Sequence, residues 1–156
     1  MDSSSLYSDF VSRWRAKGSL PAVSEREVTE FENAASVTLP RAYVRFILSH
    51  GFPHTPRLLD VIVKRELSLP DIQNFEPLQS MLDSTTAYEA AGMPKGFLAI
   101  AGDCMGNLFL LSRADCDGRE DAAIWFFDHD FDTVEIVAPS FVALLSSYAD
   151  IEANQG

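Results

Sequence analysis

The sequence predicts an α+β fold: one domain with a mostly antiparallel sheet of about five to six strands, flanked by N-terminal and C-terminal helices. Three observations carry this. Apolar residues recur at helical spacing from Leu6 to Ile47 and again after Pro139. Short β-branched and aromatic runs cluster between Phe97 and Val137, and glycine-bounded polar turns separate them. At 156 residues the chain can bury roughly 70% of its unfolded surface as one domain, so 1–156 reads as a single unit with its core at about 24–150.

Leu6, Phe10 and Trp14, with Tyr7 and Val11 alongside, form a stripe for a helix over about 5–16, which Lys17-Gly18 ends. An aromatic stripe of this kind is core. Ser24 and Glu27 make a capping box, in which hydroxyl and carboxylate each satisfy a free backbone N–H, and Val28, Phe31 and Ala35 follow on one face. Leu39-Pro40 restarts the chain, since proline suits a first helical position. Tyr43, Phe46 and Ile47 form the next apolar face, and Gly51 can take the left-handed conformation that closes the helix. The two prolines of Phe52–Pro56 read as a loop. Leu58–Val63, apolar apart from Asp60, reads as a strand, and Pro70–Asn74 as a turn or short helical step. A helix over about 76–91 should turn Leu78, Met81, Leu82 and Tyr88 inward before Gly92-Met93-Pro94 stops it.

The period then changes. Strands are expected at Phe97–Ala101, Leu108–Leu111, Ala123–Phe127 and Thr133–Val137, joined by turns at Gly102–Asn107, Asp115–Arg119 and His129–Asp132. A last helix from about Pro139 to Asp150 should pack through Phe141, Leu144, Leu145 and Tyr148.

Charge is unevenly spread. The net charge is −11, from 12 basic and 23 acidic residues. Residues 1–95 hold 10 basic and 12 acidic side chains, whereas residues 96–156 hold only Arg113 and Arg119 against 11 acids. Such a field disfavours direct nucleic-acid binding and anionic membrane and favours a basic partner, although an acidic face can also serve solubility alone. No apolar run approaches the ~20 residues of a membrane span. The acidic start at Met1-Asp2 lacks the basic and apolar regions of a secretory signal, so a cytoplasmic location is expected. Cys104 and Cys116, without metal-ligand spacing, read as two buried free thiols.

Little in the chain points to chemistry. Asp128, Asp130 and Asp132 would share one strand face and, with His129, supply the raw material of a cation or acid–base site. A hard divalent ion needs ligands converging from several elements, and one strand supplies a row. A solvated turn or a partner-binding surface are the other readings. Asp115-Cys116-Asp117-Gly118 fails as a calcium loop, because glycine stands fourth where an EF-hand needs it sixth and Phe126 occupies the place of the bidentate Glu. Gly102–Asn107 lacks the Lys-Ser/Thr of a phosphate loop and sits between strands. No nucleophile elbow and no Cys–His pair is evident, so no catalytic residue, metal or cofactor is expected.

The order of these pieces resembles the SUKH superfamily, of the Smi–Knr type, over about Ser24 to Tyr148. The residues that carry the likeness are Glu32, Leu39-Pro40, Tyr43, Phe46, Gly51, Phe97, Ile100-Ala101, Gly102-Asp103, Gly106-Asn107, Trp125-Phe126, Asp128-His129-Asp130 and Ser140-Phe141. The resemblance implies an α+β domain that in bacteria serves mainly as an immunity protein against polymorphic toxins, many of them nucleases, and that in fungi is linked to regulation of cell-wall synthesis. It implies no catalytic residues. The expected function is therefore binding and neutralisation of a cognate toxin with a basic surface. A regulatory or scaffold protein without a toxin partner is the alternative, and an acidic-site hydrolase using Asp128, His129 and Asp130 a third reading. The candidate partner-binding residues are Asp115, Asp117, Glu120, Asp121, Asp130, Asp132 and Glu135.

Overall fold

A computed structural model of the chain describes residues 3–153; Met1 and Asp2, on which the signal-peptide expectation rests, lie outside them. The elements run α1 (Ser3–Trp14), β1 (Ala16–Leu20), α2 (Glu25–Ala35), α3 (Arg41–His50), β2 (Phe52–His54), α4 (Arg57–Lys64), β3 (Asn74–Phe75), α5 (Leu78–Ala90), β4 (Phe97–Gly102), β5 (Leu108–Ser112), β6 (Ile124–Asp128), β7 (Thr133–Ala138) and α6 (Phe141–Ala153). The strands form one sheet in the order β1-β2-β3-β4-β5-β6-β7, and every neighbouring pair is antiparallel. This is the α+β architecture the sequence predicts, with a sheet of seven strands. The strands the sequence does not mark, β1, β2 and β3, lie early in the chain, where neither period nor composition points to them.

Several local expectations are corrected. Leu58–Val63 is not a strand but most of α4. Its two buried residues, Leu58 and Ile62, stand four apart, and Pro56 already has helical backbone angles, so helical spacing overrides β-branched composition. Phe52–His54, expected in a loop, is β2: it pairs through Phe52 and His54 on either side of Pro53. Pro70–Asn74 contains no helical step, and its last residue opens β3. The first helix ends at Trp14, and Lys17-Gly18 lies within β1. Cys104 is exposed and only Cys116 buried, both as free thiols.

The capping box at α2 is present: Ser24 Oγ accepts from Glu27 N–H at 3.2 Å, and Glu27 Oε1 accepts from Ser24 N–H at 3.1 Å. At the corner between α2 and α3, Pro40 is the N-cap rather than the first helical residue. Glu32 Oε2 accepts from Leu39 N–H at 2.7 Å, which fixes the corner. The left-handed residue of this helix pair is Ser36 (φ 56°, ψ 43°), whereas Gly51 adopts φ 69° with ψ −134°. A β-carbon on Gly51 would lie 2.4 Å from the Leu20 carbonyl oxygen, so the β1–α2 connection crosses directly over it.

The helices α1, α3 and α6 pack on one face of the sheet around an aromatic centre. Phe46 meets Phe141 at 5.4 Å and Tyr7 at 5.3 Å, and Phe10 meets Phe75 at 6.1 Å, mostly edge to face. The stripe of Leu6, Phe10 and Trp14 is buried here as expected. The opposite face of the C-terminal strands is smaller: Ala99, Leu108, Leu110 and Phe127 pack with Met93, and Tyr88 of α5 covers them in part. Thr85 ties α5 to β4 by accepting from Ala99 N–H at 3.0 Å.

Candidate partner-binding surface

Six of the seven candidate carboxylates fall at two ends of β6, and the seventh lies between them. Asp115, Asp117, Glu120 and Asp121 lie in the β5–β6 connection, while Asp130 and Asp132 lie in the β6–β7 turn at the far end of β6. Five strand residues, about 14 Å, separate the groups. Glu135 stands on β7 between them, opposite Phe126. They do not form one patch.

The first group is committed to the fold. Arg119 forks onto Asp117 with two contacts of 2.9 Å and reaches Asp115 at 3.2 Å, so its guanidinium holds the Asp117 carboxyl down at about 2. Arg45 of α3 pairs with Glu120 and lowers its pKa. Asp121 caps α6 from outside the helix: Phe141 N–H donates to Oδ1 at 2.8 Å and Val142 N–H to Oδ2 at 3.3 Å. Ser140 Oγ takes the next free donor, Ala143 N–H, at 3.0 Å. The backbone of the same loop serves α3, whose N-cap Pro40 offers no side-chain acceptor. Arg41 N–H donates to Arg119 O at 3.0 Å and Ala42 N–H to Glu120 O at 2.7 Å, while Thr38 and Asp117 form an isolated parallel bridge. The acidic loop is a clamp that closes two helix ends.

The second end differs. The row of Asp128, Asp130 and Asp132 expected at strand spacing does not form, because β6 stops at Asp128 and the chain turns. Asp128 Oδ1 accepts from Asp130 N–H at 2.9 Å, and Asp132 adopts φ 53°. Among the described residues, no three metal-ligating side chains come together. The turn docks on the neighbouring β4–β5 hairpin: His129 N–H donates to Asn107 Oδ1 at 3.0 Å, and His129 Nε2 lies 2.6 Å from Met105 O. Asp103 braces that hairpin by accepting from Met105 N–H and Asn107 N–H, each at 2.8 Å. Behind it, buried Asp71 accepts from Cys104 N–H at 3.1 Å, and burial, then the Asp103 charge, pushes its carboxyl above the ordinary range.

These braces hold two apolar side chains in water. Met105 is 66% exposed and Phe131 77% exposed, at the tips of adjacent hairpins with Asp128, Asp130 and Asp132 close by in the same turn. Neither residue is one of the charged or motif positions that stand out in the sequence; the one available signal is that an aromatic residue inside an acidic turn has no core to enter.

Glu32, Gly102-Asp103 and Ser140 thus hold the corner, the hairpin and the last helix. Over residues 22–147 the chain matches the model of the SMI1 / KNR4 family (SUKH-1). The chain belongs to this family. SUKH-1 membership bears out the superfamily expected from the motif order, and the family includes both immunity proteins and regulators. No curated protein matches the chain. Among the described residues, no helix of this SUKH-1 domain is long and apolar enough to cross a membrane.

Proposed function

We propose that the protein is a bacterial immunity protein that binds a cognate toxin in the cytoplasm and neutralises it by contact, turning over no substrate of its own. The observation that carries this is the pair Phe131 and Met105, 77% and 66% exposed at braced hairpin tips among carboxylates. A large apolar side chain presented to solvent on a hydrogen-bonded turn suits the centre of an interface, where a few anchors supply most of the affinity. Carboxylates around it steer a basic surface into register and raise the association rate, towards 10⁸–10⁹ M⁻¹s⁻¹ at low salt. A nuclease presents such a surface to its own substrate, so a toxin of that class fits. Asp130 and Asp132, with Glu135 on the adjoining strand, remain in the proposed interface. Asp115, Asp117, Glu120 and Asp121 serve the fold first, through Arg119, Arg45 and the end of α6.

Co-expression with the product of a toxin gene found beside this one is the test. Relief of growth arrest and a stable purified complex are expected, with the complex weakened by Phe131→Ser. Persistent arrest with no complex would overturn the reading. The absence of any toxin gene beside this one would favour the regulatory branch of the family, which needs a docking surface but no toxin.

A further inference from the structure

The two edges of the sheet are built differently. The outer strand β1 carries Lys17 and Gly18 and meets β2 only at Ala16 and Leu20, with an irregular register between them, whereas β7 keeps an unbroken register on β6 from Thr133 to Ile136 and shifts only beyond it. Ser19 Oγ donates to Ala16 O at 2.8 Å and accepts from His54 N–H at 2.9 Å, so a side chain fills in for the ladder. These features blunt an edge. At the other side β7 pairs only with β6 among the described residues. Its sequence, Thr133–Ala138, has no proline, glycine or lysine and is mostly β-branched, and Ile136 is 56% exposed. That is an edge left open to strand addition.

The two faces of this edge have different chemistry. Thr133 and Glu135 stand opposite Asp128 and Phe126 and share one face, while Val134 and Ile136 stand opposite Phe127 and Trp125 on the other. Along this edge a depression of about 160 Å³ is lined by Asp128, Glu135 and Thr133 together with Phe126, Ile136 and Val137. An apolar wall ending in two carboxylates suits the stem and charged head of a lysine or arginine. On the second face Ile136 and half-buried Trp125 offer apolar contact.

We propose that β7 is the docking edge for an extended segment of the partner that alternates basic and apolar side chains and joins the sheet as an eighth strand. The basic residues face Asp128 and Glu135, and the apolar ones lie against Val134 and Ile136. A second copy of this chain is a poor occupant, since pairing β7 with β7 would bring acidic faces together in a protein of net charge −11. The proposal rests on the reading that the protein works by binding a macromolecule, and it specifies part of the recognised segment.

The probe is a synthetic hexapeptide of alternating lysine and valine, with a glutamate–valine peptide as control, added to the full chain and followed by backbone NMR and amide exchange. Shift changes and slowed exchange confined to residues 133–138 are expected for the lysine peptide alone. Glu135→Lys and Ile136→Asp, both at exposed positions, should each weaken it at least about tenfold while leaving the melting temperature in place. Methylating alternate peptide nitrogens should abolish the protection, because strand addition depends on main-chain hydrogen bonds. Equal binding of both peptides, or no change at β7, would overturn the proposal. In the toxin complex, wild-type binding untouched by either β7 variant would overturn the edge and leave the proposed function standing. Failure of the wild type to form any complex would instead overturn that function, and the peptide result would then decide the edge on its own.

Discussion

Replacing Asp121 with alanine should cost the fold about 2 kcal/mol, because this carboxylate holds the first two donors of α6 from a loop twenty residues upstream. Phe141 is fully buried, so its N–H, now 2.8 Å from Oδ1, would have little access to water once the carboxylate is gone. Loss of a cap costs about 0.5–2 kcal/mol, and loss of a negative charge at a helix N-terminus a further ~0.3–1 kcal/mol. Val142 is half-buried and its contact is longer, at 3.3 Å, so hydration recovers part of that second bond. Ser140 still holds Ala143 N–H, which keeps the helix itself in place. For a chain of this size the loss corresponds to a fall in melting temperature of about 4–8 °C. Asp121→Asn, which keeps an acceptor but no charge, should lose about half as much. Urea and thermal unfolding followed by circular dichroism measure both. A melting temperature within about 1 °C of wild type, combined with a large loss of partner binding, would show that Asp121 acts as a docking carboxylate and not as a cap.

Phe131→Ser and Met105→Gln should leave stability within about 0.5 kcal/mol of wild type yet weaken the toxin complex at least about tenfold, as titration calorimetry would read. Gly51→Ala should destabilise by more than about 3 kcal/mol, since φ of 69° and a β-carbon 2.4 Å from Leu20 O leave no room; urea midpoints report it. Asp71 has a raised pKa in the folded protein, so its contribution is intact below the ordinary carboxylate value and is lost as pH rises through the folded one. Asp71→Asn should therefore gain stability relative to wild type from about pH 4 upward, and unfolding midpoints that diverge the other way would refute the assignment. In the native protein one thiol should react with a chromogenic disulfide reagent: Cys104 is exposed, whereas burial pushes Cys116 up to about 11, and the second thiol should appear only in denaturant.

What was legible in the sequence was local. The Ser24–Glu27 box, the Leu6–Phe10–Trp14 stripe and the glycine turns between β4 and β7 each involve residues a few positions apart, and each stands where the pattern put it. β2 and β3 were missed because two or three residues carry no period, and their partners alone define them as strands. At α4 composition and spacing disagree: Val61, Ile62 and Val63 favour a strand, while the burial of Leu58 and Ile62 decides for a helix. The candidate surface divided for the same reason. Arg45 and Glu120 are 75 positions apart, so nothing local shows that this carboxylate is already paired. Acidity was visible, but its allocation between fold and surface was not.

The clamp at residues 117–121 also bears on the order in which the chain can mature. The first amides of α3 find their acceptors in carbonyls from residues 119 and 120, and Asp117 pairs with Thr38 just ahead of that helix. A nascent polypeptide leaving the ribosome N-terminus first therefore exposes these donors until some eighty further residues have been synthesised. Until then the aromatic helix beneath them has no finished end, and completion of the early half waits on a hairpin made late.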